Sequence, residues 1–125
     1  MLKAEKSVAV AKAKLDEAKG LAGKGFLDMA FLSAYVSMFH SGRALLFRDG
    51  LIEKSHHCLI LYLNEHYVKN GKIPHGFITL LDAFRNERHM LLYGLDPVRV
   101  RRRDLDEALN SAEEFIPLVE KLLKE

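Results

Sequence analysis

The sequence predicts an all-α fold, an up-and-down bundle of four to five helices, and three observations carry that prediction. Apolar residues recur at helical spacing in five separate stretches of the chain. No stretch of useful length alternates apolar and polar residues as a half-buried strand would. The segment from Met29 to Gly42 runs fourteen residues without a full charge, with Tyr35 and His40 its only titratable groups. In a chain that is 29% charged, such a segment belongs in the middle of something buried.

The first helix is expected over residues 3–19, an amphipathic run of Lys, Ala and Glu with Val8, Ala11, Leu15 and Ala18 on one face. Gly20, Gly23 and Gly25 then break the pattern. The core helix should run from about Phe26 to Arg48. At 3.6 residues per turn it shows two bulky stripes, Leu27, Phe31, Met38, Leu45 and Leu32, Val36, Phe39, Leu46. Between them Ala30, Ala34, Ser37, Ser41 and Ala44 leave room for a neighbouring helix to come close. Asp49-Gly50 is the expected C-terminal stop.

Ser55 is a good N-cap for a third helix to about Lys69, with Leu59, Tyr62, Leu63 and His66 facing inward. Asn70-Gly71 and Pro74 mark the next turn. The fourth helix spans His75 to Tyr93 with Phe77, Leu81, Phe84 and Leu91 as its seam, stopped by Gly94 and Pro97. Asp104 with Glu107 resembles a capping box opening the last helix. That helix carries the stripe Leu105, Ala108, Ala112, Ile116, Val119 and Leu123, and Pro117 should kink it.

Length and composition bound the rest. At 125 residues, with 49% hydrophobic residues, the chain reads as one domain over 1–125 with a sizeable core. Its fourteen uncharged residues are too few to cross a bilayer, which needs about 20. The leading segment is dense in Lys and Ala rather than apolar. A single cysteine, Cys58, excludes an internal disulfide and fits a reducing cytoplasm, where it is expected as a buried structural thiol. The absence of Gln and the presence of only four Asn match the bias of heat-adapted proteins. The net charge of +2 does not by itself announce a nucleic-acid binder.

The distribution of charge says more. Between Arg85 and Arg103 there are six Arg and two acids, Glu87 and Asp96. Arg88 follows Phe84 by four residues and Leu81 by seven, which places a guanidinium on the apolar seam of the fourth helix. That is costly unless the group is paired or lines a cleft. Arg85 and His89 are its neighbours on the same turns. One reading pairs these cations with the helix dipole and with carboxylates such as Glu53 or Glu113. The other makes them an anion site for a phosphate backbone or nucleotide, extended by Arg99, Arg101, Arg102 and Arg103 into one basic patch. No metal site or cofactor is expected, since the six His are scattered and His56 and His57 diverge by about 100° on a helix. No glycine pattern forms a phosphate loop.

The run Ala34-Tyr35-Val36-Ser37-Met38-Phe39-His40-Ser41-Gly42-Arg43-Ala44-Leu45-Leu46 resembles the tyrosine-phenylalanine-histidine core helix of small archaeal and bacterial HEPN proteins. Lys54-Ser55-His56 resembles the segment that opens their next helix, and the Arg-rich end of the fourth helix, closing on Tyr93-Gly94, resembles their signature. The resemblance covers roughly residues 3 to 123. It implies a helical bundle that pairs into a homodimer, with Tyr35, His40 and His56 in supporting positions. It also implies one of three activities: cleaving RNA without metal through an Arg and a His separated by four to six residues, binding RNA or a nucleotide, or partnering a minimal nucleotidyltransferase in a toxin–antitoxin-like pair.

This chain departs from the signature. Counting from Arg85, the expected His positions hold Met90, Leu91 and Leu92, and His89 comes one residue early. Counting from Arg88, Tyr93 stands where the His would be. A tyrosine of ordinary pKa near about 10 is a poor base at neutral pH. Arg88 and Tyr93 are therefore the expected signature pair, with Arg85 and His89 supporting. Three functions follow as alternatives. The first is a module binding RNA, a nucleotide or a nucleotidyltransferase partner. The second is a metal-independent RNase using Arg85 or Arg88 with His89. The third is a structural dimeric bundle with no ligand.

Overall fold

The computed structural model describes residues 2–96 and 99–125. Five helices make up the fold: α1 (Leu2–Gly23), α2 (Leu27–Arg48), α3 (His56–Leu63), α4 (His75–Tyr93) and α5 (Arg102–Leu123). Among the described residues there is no strand, and no helix is long and apolar enough to cross a membrane. The all-α class is the one that the periodicity predicts.

The core is built on α2. Its small-residue stripe, Ala30, Ala34, Ser37, Ser41 and Ala44, is buried throughout, and α1 lies against it with Ala4, Ala11 and Ala18 fully covered. Small residues on both sides bring the backbones close enough for side chains of one helix to bond the main chain of the other. Ser7 Oγ donates to the His40 carbonyl at 2.7 Å, and Ser37 Oγ donates to the Ala11 carbonyl at 2.7 Å. Ser7 opposite His40 and Ala11 opposite Ser37 also fixes the pair as antiparallel. Helix α5 lays Leu105, Ala108, Ala112, Phe115, Ile116 and Val119 into the same core, and Lys12–Glu120 and Lys19–Glu113 pairs tie it to α1.

Two helix ends depend on glycine. Helix α1 continues through Gly20 and Gly23, both inside the helix or its last turn, and stops only at Gly25, which has φ of 84°. The Phe26 N–H bonds the Leu21 carbonyl and the Gly25 N–H that of Ala22, a closure that needs a left-handed residue. Helix α2 ends in the same way at Gly50, with φ of 81° and Leu51 bonded back to Leu46.

The third helix departs from expectation. After Leu63 the chain makes one π-helical turn, Asn64–Val68, with the Lys69 N–H reaching the Asn64 carbonyl. The extra residue in that turn shifts the helix phase. Tyr67 is buried, whereas His66, expected inward, is exposed. The Tyr67 hydroxyl donates to Asp49 Oδ2 at 2.7 Å and receives Arg48 Nη2 at 2.6 Å, while Tyr62 donates to the same Asp49 oxygen at 2.8 Å. Arg48 also donates to the Leu122 carbonyl, so one network joins the ends of α2 and α5 to the π turn.

Two further expectations are corrected. Cys58 is exposed rather than buried, because α3 turns Leu59, Ile60 and Leu63 inward instead. Helix α5 begins at Arg102, so Asp104 is its third residue and not its cap; its carboxylate accepts the Arg101 N–H at 3.2 Å. Helix α5 is continuous through Pro117. Pro97, expected to stop α4, lies outside the described residues.

Candidate functional site

Segment 49–55 doubles back along α2 and so builds the site. Its far end places His56, the first residue of α3, against Tyr35 in the middle of α2. The π turn then returns to Asp49 at the α2 terminus. Ser55 caps α3, its Oγ accepting the Cys58 N–H at 3.0 Å, and its extended backbone sets the approach angle.

Tyr35 is 0% exposed. Its hydroxyl lies 2.6 Å from Nδ1 of His56, and the His56 ring stacks on Phe39 with centroids 4.1 Å apart. Burial pushes the Tyr35 pKa up to about 12, against the opposing pull of Arg88 and Arg85. The hydroxyl therefore keeps its proton and can donate it to Nδ1. Burial also lowers the His56 pKa, and the guanidinium of Arg88 lowers it further, with Glu53 acting in the opposite sense. A neutral imidazole whose Nδ1 accepts from Tyr35 carries its hydrogen on Nε2. In that tautomer Nε2 is a donor, not a base.

Arg88 completes the group. Its guanidinium carbon sits 6.0 Å from the centre of the Tyr35 ring, and among the described residues no carboxylate pairs with it. The carboxylates available to a structural reading are engaged elsewhere. Glu53 pairs with Arg43 at 2.8 Å, Glu113 with Lys19 at 2.7 Å, and Arg85 with Asp82 on its own helix at 3.1 Å. Arg88 is thus a half-buried cation held over an aromatic ring, near His56.

His40 lies one residue beyond Phe39, its ring edge-on to that of Phe39 at 5.8 Å. Burial, and then Arg43, lower its pKa, with Glu53 opposing. The side chain of Glu53 is only 8% exposed, and its Oε2, like Nδ1 of His40 and Nε of Arg43, has no hydrogen-bond partner. Glu53 and Arg43 thus belong to the surroundings of the site. In the sequence Glu53 stood out only as a possible carboxylate for the cations of the fourth helix, and Arg43 only as part of the core-helix run.

The expected site residues divide into three groups. Tyr35, His56, Arg88 and Arg85 come together around one ring cluster, with His40 adjoining. His89 and Tyr93 stand apart on the exposed end of α4, their rings 5.1 Å apart and Tyr93 64% exposed. Arg101 and Arg102 are engaged at the start of α5: Arg101 approaches Asp104 at 3.8 Å, and Arg102 meets Asp106 at 3.2 Å and the Ala22 carbonyl at 3.4 Å. Arg103 is exposed. Arg99 and Arg101 line a depression with Phe31, Phe84 and the carboxylates Glu87, Asp104 and Glu107, so acids stand among the arginines expected to form one basic patch. Among the described residues no cluster of three or more His, Cys, Asp or Glu could hold a metal ion.

Comparison with known proteins agrees with the core-helix resemblance. The chain is 28% identical to a UPF0332 protein of Pyrococcus horikoshii over 73% of its length, spanning 64% of that relative. It is 27% identical to a UPF0332 protein of Thermotoga maritima, covering 89% of this chain and 83% of the relative. It is also 27% identical to the Methanocaldococcus jannaschii protein named "Putative toxin MJ0605", covering 94% and 87%. The HEPN domain profile matches residues 4–122, nearly all of the five helices that place Tyr35, His56 and Arg88 together, and the chain belongs to the HEPN domain family.

Proposed function

We propose that this chain is a HEPN-type binding module whose Tyr35–His56–Arg88 cleft holds an anionic group of RNA or a nucleotide. The observation that carries this reading is Arg88. A guanidinium without a carboxylate, half-buried over Tyr35, is costly as architecture and useful as a phosphate ligand. With Nδ1 accepting from Tyr35, the His56 Nε2–H would be a second donor for the same oxyanion. In this reading the protein acts in the cytoplasm as a homodimer or with a minimal nucleotidyltransferase, within a toxin–antitoxin-like pair. The relative named as a toxin supports that setting. Exposed Met90, Leu92, Tyr93 and Leu95 at the end of α4 supply apolar surface for a partner.

The test is fluorescence anisotropy with short single-stranded RNA at two salt concentrations, with the RNA run on a gel afterwards. Salt-sensitive binding to intact RNA that Arg88→Ala weakens supports the module. No binding at low salt, or binding indifferent to Arg88→Ala in a folded variant, overturns it.

A second reading, a metal-independent RNase using Arg85 or Arg88 with His89, is favoured by one observation. His89 is exposed on the same last turns of α4, where a substrate can reach it. RNA cleavage that is lost in His89→Ala supports this reading; cleavage that survives His89→Ala, or no cleavage at all, removes it.

A further inference from the structure

On the far side of His40 from Phe39, α1 and α2 enclose a second depression lined by Lys3, Lys6, Val10, His40, Arg43 and Phe47. No carboxylate lines it. Lys3 and Arg43 both lie over the Phe47 ring, at 5.9 Å and 4.8 Å from its centre. Neither Lys3 nor Lys6 pairs with an acid among the described residues, whereas Lys12, Lys14 and Lys19 of the same helix all do. The two unpaired lysines of α1 are thus the two that face this depression.

Its place along α2 gives it meaning. Tyr35, Phe39, Arg43 and Phe47 succeed one another every four residues, so Phe47 stands roughly 18 Å along the helix from Tyr35 at 1.5 Å per residue. Between them the rings belong to the interior: Tyr35 and Phe39 are buried, with His56 stacked on Phe39 and His40 edge-on to it, so what continues along this side of α2 is charge. Cations spaced along one helix suit a single strand, whose successive phosphates take the charges.

We infer that Lys3, Lys6 and Arg43 form a second phosphate subsite, which binds the single-stranded RNA backbone flanking the phosphate held at Arg88. Arg43 lies 2.8 Å from Glu53, which offsets its charge, and the lysines supply the free charge. The inference rests on the RNA-binding reading of the Arg88 cleft.

The test compares three variants of the full chain by anisotropy with RNA oligonucleotides of about 4 and about 12 nucleotides, lengths bracketing a single binding module. They are Lys3→Ala/Lys6→Ala, Arg88→Ala, and a charge-matched control, Lys24→Ala/Lys121→Ala. All substituted lysines are exposed, and circular dichroism checks each fold. The subsite predicts that the Lys3/Lys6 variant loses affinity for the longer RNA alone. Its salt slope should fall by roughly 0.7 for each phosphate no longer neutralised. An equal loss in the Lys24/Lys121 control, or an unchanged long-RNA affinity in the Lys3/Lys6 variant, overturns the subsite. If Lys3/Lys6 matters and Arg88 does not, the subsite stands and the Arg88 reading falls; if wild type binds neither RNA, both fall.

Discussion

The hydroxyl of Tyr35, wholly buried in α2, lies 2.6 Å from Nδ1 of His56 at the first turn of α3. This one hydrogen bond anchors His56, the docking of the chain returning from residue 55, and the ring beneath Arg88. Removing the hydroxyl in Tyr35→Phe should cost about 1–2 kcal/mol of stability, as expected when a buried hydrogen bond loses one partner. Urea denaturation measures the loss. Binding of RNA should weaken as well, because His56 is then free to reorient.

The pH dependence of stability follows from His56 and His40. Both have pKa values lowered by burial first and then by a neighbouring arginine, Arg88 and Arg43 respectively. The unfolded chain takes up protons on these rings below about 6.5, the ordinary histidine value, while the folded protein resists them. Their contribution is therefore complete above about pH 6.5 and is lost as pH falls below it. Urea midpoints at several pH values should drop on the acid side of that point, and less steeply in a His56→Asn variant.

Arg88 acts on His56 electrostatically, so Arg88→Ala should raise the His56 pKa toward its ordinary value. Following the histidine ring protons by NMR across a pH titration reads this directly. A His56 titration that does not move would show that the guanidinium and the imidazole are not electrostatically coupled.

The network at the π turn is a separate, structural element. Burial pushes the Asp49 carboxyl up, but hydrogen bonds from Tyr67, Tyr62 and Arg48 outweigh it and hold the pKa below the usual carboxylate range. Tyr67→Phe removes one donor to Asp49 and one acceptor for Arg48. It should destabilise the fold by about 1–3 kcal/mol and leave affinity for RNA unchanged. Thermal unfolding alongside anisotropy separates the two effects.

Tyr93 is 64% exposed and touches His89 rather than the Tyr35 cluster. Tyr93→Phe should therefore leave stability unchanged within about 0.5 kcal/mol, the range of ordinary surface changes. If Tyr93 serves with Arg88 as a signature pair, the same variant weakens RNA binding; thermal unfolding and anisotropy on one preparation distinguish the two roles.

What the sequence determined by itself was what local periodicity encodes. An uncharged run at Met29–Gly42 required a central helix, alternating small residues on it required a close neighbour, and the place of Arg88 on an apolar seam marked an anomaly. Each of these is a statement about one helix and its faces, legible at 3.6 residues per turn. Where phase is interrupted the reading stopped. The π turn rotated Tyr67 inward and His66 outward, and nothing in residues 64–68 signals an extra residue in a turn.

Only the tertiary structure decided which distant groups meet. That Glu53 pairs with Arg43 and leaves Arg88 without an acid depends on how segment 49–55 doubles back, a long-range path that spacing does not encode. The same path, not any motif, sets His56 on Tyr35 and leaves Tyr93 in the open. Helical faces are local physics; the pairing of charges across them is settled only when the helices pack.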